Sequence, residues 1–345
     1  MRAVVFTGDG VTVDDVPEPQ VLEPDDAVVR VSLTSICGSD LHLLDGKTPG
    51  MRPGSVIGHE FVGVVEESGE VSKVEPGTRV LGSFLIACGL CDACAARRFN
   101  HCRERRALGL GTLTGDLDGA QAELVRVPHA GVNLKPLTGA LTNLADEQAL
   151  FAGDILATGF YAAHLSEAAR GERAVVVGAG PIGLLTALAL RDKGTSVLLL
   201  DTDDGRVDAA QKLGFAALKP GDDAGTDARA ALGGEIHVAV DAVGAIPALK
   251  TAMRCVRDGG RVVVVGVYGA ERYELPVGMV WIRGLDLRFS GMANVHAHWE
   301  EALRRTALGD IDPARLITHR LALEEAEEGY RLFAAREATK VVLRP

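Results

Sequence analysis

A chain of 345 residues predicts about two domains, and a 47% apolar share is enough to bury two cores, which excludes a disordered protein. With 36 basic against 47 acidic side chains the net charge is −11, so the basic footprint required for binding DNA or RNA is missing. Forty-one glycines without a collagen period point instead to tight turns and close backbone approaches, as in loops that cradle ligands.

Met1 to Phe6 is too short for the apolar core of an export signal before Thr7-Gly8-Asp9-Gly10, and a cytoplasmic protein is expected. Residues 1–150 hold short β-rich runs, among them 27–31 and 63–66, separated by Pro and Gly turns. From Arg173 the pattern changes. Buried strands are expected at 174–177, 197–200, 236–240 and 261–265 with helices between them, the signature of a doubly wound parallel sheet and an α/β fold. Leu213-Gly214 reads as a helix stop, and Asp258-Gly259-Gly260 as a turn into the strand that ends at Gly266. Helices near Trp299 to Leu308 and Leu323 to Ala335 and a strand over Lys340 to Leu343 close the chain. The most apolar stretch, 174–190, carries three glycines and Pro181, so it reads as strand, turn and helix and no membrane span is expected.

Gly178-Ala179-Gly180-Pro181-Ile182-Gly183 fits the G-x-G-x-x-G pattern directly after an expected strand and at the start of an apolar helix. Eighteen residues beyond Gly183, Asp201 ends the next strand, where a carboxylate accepts both ribose hydroxyls of NAD and repels the extra phosphate of NADP. Arg206 is a candidate contact for the cofactor adenine.

Six cysteines in a reducing compartment suggest metal rather than disulfides. Cys88, Cys91, Cys94 and Cys102 place four thiolates within fifteen residues, enough for a closed tetrahedral zinc site with no open coordination position, and therefore a structural one. Cys255 reads as a core residue. A second candidate set is dispersed: Cys37, then His59 and Glu60, then Asp154, each fragment weak by itself. His296 and His298 have no third ligand beside them in sequence and read as caps of a surface helix.

Cys37-Gly38-Ser39-Asp40-Leu41-His42, Gly58-His59-Glu60, the four-cysteine lobe and Gly178 to Gly183 occur in the order and spacing of the zinc-dependent medium-chain alcohol dehydrogenases, which the whole chain resembles. The resemblance implies a GroES-like β-rich catalytic domain over 1–150 and 286–345 and a Rossmann dinucleotide-binding domain over 151–285. It implies two zinc ions per chain. Cys37, His59 and Asp154 match ligands of a catalytic zinc, and Glu60 matches a carboxylate behind the metal or an alternate ligand. Many relatives have Cys or Glu where Asp154 stands. Asp40 matches the residue that orients the ligand histidine, and Ser39 and His42 match a relay that carries the alcohol proton to solvent. Thr158 resembles a contact near the nicotinamide and Lys340 a cation near the pyrophosphate. Phe84, Leu110, Trp281 and Met292 are placed by position alone as pocket walls.

The expected function is NAD-dependent oxidation of a small-molecule alcohol to its aldehyde or ketone, or the reverse, by a homo-oligomer, tetramer or dimer. A polyol or sugar dehydrogenase of the same architecture is the first alternative. A non-catalytic zinc protein that holds NAD(H) is the second, and the intact ligand and relay residues count against it.

Overall fold

The computed structural model describes residues 1–46, 50–269 and 272–345. The chain forms two compact units, one of Met1–Ala157 with Asn294–Pro345, the other of Thr158–Ala293. The first division lies at 157/158, inside the helix Ile155–Leu165, later than the expected 150/151, and the second lies at 293/294 instead of 285/286. The second shift has a plain cause. Asp286–Phe289 is a sixth parallel strand, paired with Val256–Val264, and so belongs to the second unit.

In the first unit the strand Ala27–Ile36 is central: it pairs antiparallel with Phe61–Ser68, Leu124–Val127 and Val341–Arg344. Phe61–Ser68 continues to Arg79–Gly82 and Leu134–Pro136, and His319–Ala322 lies beyond Val341–Arg344, which completes a seven-stranded sheet. Ala27–Ile36 is buried along most of its length, and on either side of the exposed Arg30 it sends Val29 and Val31 into a core with Phe61, Val65 and Val80. The C-terminal residues thus supply strands to a sheet that the N-terminal residues begin. A short ladder, Leu85–Ile86 with Arg106–Ala107, holds the base of the segment that carries the four clustered cysteines.

In the second unit six parallel strands follow the order Ala216–Leu218, Ser196–Leu200, Arg173–Val177, Ile236–Asp241, Val256–Val264, Asp286–Phe289. Val175, Val176, Leu198, Leu199, Val238 and Val240 are buried, as strands covered on both faces require, and each such side chain contributes about 1.5–3 kcal/mol. The order reverses between Arg173–Val177 and Ile236–Asp241, the place where open α/β sheets leave a crevice at the carboxyl ends of their strands. Gly259 is left-handed (φ +67°) inside Val256–Val264, so the expected turn is an irregularity within a strand that starts earlier than anticipated. Among the described residues no helix is long and apolar enough to cross a membrane.

Candidate active site and cofactor loop

Sheet register brings the dispersed residues together. Thr34 faces Phe61 across the first ladder and Ile36 faces Val341 across the second, so Cys37, at the end of its strand, lies between the starts of two neighbours, where His59, Glu60 and Lys340 stand. Cys37 is also the cap of the helix Gly38–Leu44, which places Ser39 and Asp40 in its first turn. Asp154 follows the turn Leu150–Gly153, and that turn docks on the strand Arg79–Gly82: a Cβ on Gly153 would lie 2.1 Å from the Gly82 carbonyl oxygen.

The donor atoms of Cys37, His59 and Asp154 all lie within 4.8 Å of one another and all three residues are buried. Asp154 Oδ2 is 3.4 Å from His59 Nε2 and 3.5 Å from Cys37 Sγ. Ser39 Oγ lies 3.2 Å from the same Nε2. Asp40 accepts the Cys37 amide at 2.9 Å and places Oδ1 3.2 Å from His59 Nδ1; neither of these two buried atoms has a hydrogen-bond partner among the described residues, so each is left for the other. The Phe84 ring meets His59 edge-on with centroids 6.1 Å apart. His42 is half-buried in the same helix.

Buried ionisable groups crowd this pocket. Burial, with the charges of Glu60 and Asp154, pushes the Cys37 thiol up. Burial opposes a charged His59, but the Asp40 carboxylate and the bond to Asp154 raise its pKa well above the ordinary value. Burial likewise opposes ionisation of Asp154, yet the imidazole beside it keeps that carboxyl below its usual range. Burial lifts Glu60 to about 7 against the pull of Lys340. A thiolate, a carboxylate and a neutral imidazole at this spacing suit a zinc ion with an open position, because the two anions balance its charge. Glu60 is outside this ligand set: Oε2 takes Lys340 Nζ at 2.5 Å and the Ser35 hydroxyl, and Oε1 has no hydrogen-bond partner among the described residues.

Lys340 corrects an expectation. Its side chain is 1% exposed and paired with Glu60, so no exposed ammonium remains there for a pyrophosphate.

Cys88, Cys91, Cys94 and Cys102 also cluster within 4.8 Å, with Cys91 and Cys94 sulfurs 3.6 Å apart and Cys88 and Cys102 sulfurs 3.5 Å apart. Tetrahedral zinc thiolate coordination requires sulfurs about 3.8 Å apart, so the set fits. Backbone amides lower the Cys91 thiol to about 6, favouring the thiolate. His296 is a neighbour of this lobe and caps nothing, contrary to expectation. Burial pushes its pKa down to about 3, Nε2 lies 2.8 Å from Asn133 Oδ1, and its ring stacks on Phe99. Because Asn133 Oδ1 also accepts the Ala87 amide, it is an oxygen acceptor and His296 is the donor.

In the second unit Gly178 adopts φ +102° and Gly183 sits so close to it that a Cβ there would lie 1.8 Å from the Gly178 carbonyl oxygen. Gly180 differs. A Cβ on it would have only Arg206 at 4.0 Å, which leaves room for a phosphate at the amino end of the helix Pro181–Asp192, where Pro181 is preorganised at the first turn and Ile182 follows. Asp201 accepts the Ala179 amide at 2.7 Å and the Asp203 amide at 3.0 Å, and Arg206 lies 3.8 Å from its Oδ2. The loop therefore fits a dinucleotide, with Arg206 beside the acid as well as near Gly180. Thr158 is buried in Ile155–Leu165 and its hydroxyl has no hydrogen-bond partner among the described residues. Trp281, expected in a pocket wall, is 79% exposed on the helix Val277–Ile282.

Fold and clusters together define a dehydrogenase architecture, and comparison with known proteins agrees. Residues 23–136 match the alcohol dehydrogenase GroES-like domain family and residues 181–307 the zinc-binding dehydrogenase family. A zinc-type alcohol dehydrogenase-like protein of Bacillus subtilis, AdhB, is 32% identical over the full length of both chains. The solved structure of alcohol dehydrogenase TADH from Thermus sp. ATN1 is 41% identical, with a TM-score of 0.92, covering 100% of this chain and 99% of that one. A putative zinc-binding dehydrogenase from Sinorhizobium meliloti, solved with NADP, is 30% identical with a TM-score of 0.84 over 100% and 99%. The chain belongs to the zinc-dependent medium-chain dehydrogenase family, whose members are oxidoreductases acting on CH–OH groups.

Proposed function

We propose that the protein is an NAD-dependent alcohol dehydrogenase that holds one zinc at Cys37, His59 and Asp154 and a second at Cys88, Cys91, Cys94 and Cys102. The observation that carries this reading is the convergence of a thiol, an imidazole and a carboxylate within 4.8 Å, with the Ser39 hydroxyl beside the histidine nitrogen. Bound zinc would supply a Lewis acid that lowers the pKa of an alcohol hydroxyl, and bound NAD a hydride acceptor. Ser39 accepts the proton that leaves the substrate hydroxyl and His42 passes it on to solvent. Asp40 holds the His59 ring in the tautomer whose Nε2 is free. Asp201 favours NAD by accepting from ribose hydroxyls and repelling a 2′-phosphate. The NADP named for the Sinorhizobium relative belongs to that protein. Six unpaired cysteines suit a reducing, cytoplasmic compartment.

Self-association is part of the reading. Asp286–Phe289 is the last strand of its sheet, and Phe289, Trp281 and Ile282 leave 61%, 79% and 76% of their surfaces exposed, which supports a contact between copies.

The test is the appearance of NADH absorbance with zinc-loaded protein and a panel of primary, secondary and cyclic alcohols and polyols, repeated after chelation. Turnover that chelation abolishes is expected. Protein that binds NAD but turns over none of the panel, in either direction, would leave the non-catalytic alternative standing. Fastest turnover on polyols would favour the sugar-dehydrogenase alternative.

A further inference from the structure

Asp40 is gripped from the side away from His59 by two residues that belong to no motif. Gln121 precedes the strand Leu124–Val127, and Tyr330 lies on the C-terminal helix Ala326–Ala334; both are buried. The Tyr330 hydroxyl donates to Gln121 Oε1 at 2.9 Å. Gln121 Nε2 donates to the Ser35 carbonyl at 3.0 Å and to Asp40 Oδ2 at 3.3 Å. The direction of this chain is forced. A backbone carbonyl only accepts, so the amide nitrogen must face Ser35, its oxygen is left for Tyr330, and the phenol must donate.

Oδ2 of Asp40 therefore receives two N–H groups, from Gln121 and from the Cys37 backbone, and Oδ1 is left 3.2 Å from His59 Nδ1. A carboxylate oxygen at that place calls for hydrogen on Nδ1, so the lone pair sits on Nε2, the atom nearest Asp154 and Ser39. A separate observation supports the design. Gly58, next to His59, has φ +89°, and a Cβ there would lie 2.3 Å from Gln121 Cγ and 2.7 Å from Cδ. The glycine leaves the space that the glutamine side chain fills.

We propose that Gln121 and Tyr330 are positioning residues for the catalytic metal: through Asp40 they fix the tautomer and direction of the His59 ring, and so set how tightly the ion is held. The inference rests on the reading of Cys37, His59 and Asp154 as its ligands. Tyr330→Phe keeps the ring and removes one hydroxyl, and Gln121→Leu keeps the volume and removes the amide. The measurements are release of zinc to a chromogenic chelator and the visible absorption of protein carrying cobalt(II) in place of the catalytic zinc. Each variant should lose the catalytic ion about tenfold faster and shift the cobalt bands, while release from the four-cysteine site stays at the native rate. Because Tyr330 and Gln121 are bonded to each other and both face Asp40, the double variant should show less than the sum of the two single effects. If Gln121→Leu does not fold, Tyr330→Phe decides alone. Native release rates and cobalt bands in the variants, with two zinc ions in the native protein, would overturn the proposal. A native protein that holds zinc only at the four cysteines would overturn the ligand reading itself, and the proposal with it.

Discussion

Asp154 carries more of the proposed chemistry than its size suggests, because it supplies one of the two negative charges that the three clustered candidate ligands would offer a metal. A carboxylate donates less charge than the thiolate found in many relatives, so zinc here should be a stronger Lewis acid and easier to exchange. Asp154→Asn keeps the shape and removes the charge. Elemental analysis should then find one zinc per chain instead of two, with turnover down by more than about a hundredfold and the four-cysteine site intact. Retention of both ions with native turnover would remove Asp154 from the ligand set and bring Glu60 forward. Ser39→Ala tests the relay independently: turnover should fall about a hundredfold or more, with NAD affinity unchanged in a fluorescence titration. The resemblance assigned Cys37, Ser39, Asp40 and His59 to one site, but not what surrounds them. Lys340, Gln121 and Tyr330 reach the site through sheet register and helix packing, which have no spacing rule in the sequence.

Turns and ladders decide where these side chains stand. The strand Arg173–Val177, the Gly178 turn and the helix Pro181–Asp192 could be placed from an apolar run, a glycine pattern and a proline at the helix start, each a local signal. Asp286–Phe289 could not, since Asp, Leu, Arg and Phe in sequence lack the apolar run of its neighbours; edge position lets charged residues sit in it. At Gly183 the close approach has a measurable consequence. A methyl group 1.8 Å from the Gly178 carbonyl oxygen must push the helix off the strand, and the obstacle is backbone, which has no alternative rotamer. Gly183→Ala should destabilise the dinucleotide unit by about 3 kcal/mol and weaken NAD binding, while both zinc ions stay in place. Chemical denaturation followed with and without NAD gives both quantities, and a native midpoint would show that the helix moves aside without cost.

At the scale of the whole molecule the first unit is assembled from two distant stretches of chain, and the strand Val341–Arg344 joins Ala27–Ile36 next to Cys37. Late residues thereby complete the surroundings of early ones, and the resemblance alone predicted this return. The second unit, in contrast, ends in an open strand edge with apolar side chains around it. Val277, Trp281 and Ile282 share one short helix and are each more than half exposed, as is Phe289 on the edge strand. Exposed side chains of this size make no contribution to the folded unit's core, and they are the patch on which the proposed contact between copies rests. The double variant Trp281→Glu with Ile282→Arg should leave thermal stability of the isolated chain unaltered, since neither residue is buried. It should lower the mass found by size exclusion with light scattering toward the 36.2 kDa of one chain. A native protein that already runs at that mass across micromolar concentrations would assign the patch to some other contact and leave the zinc and cofactor readings untouched.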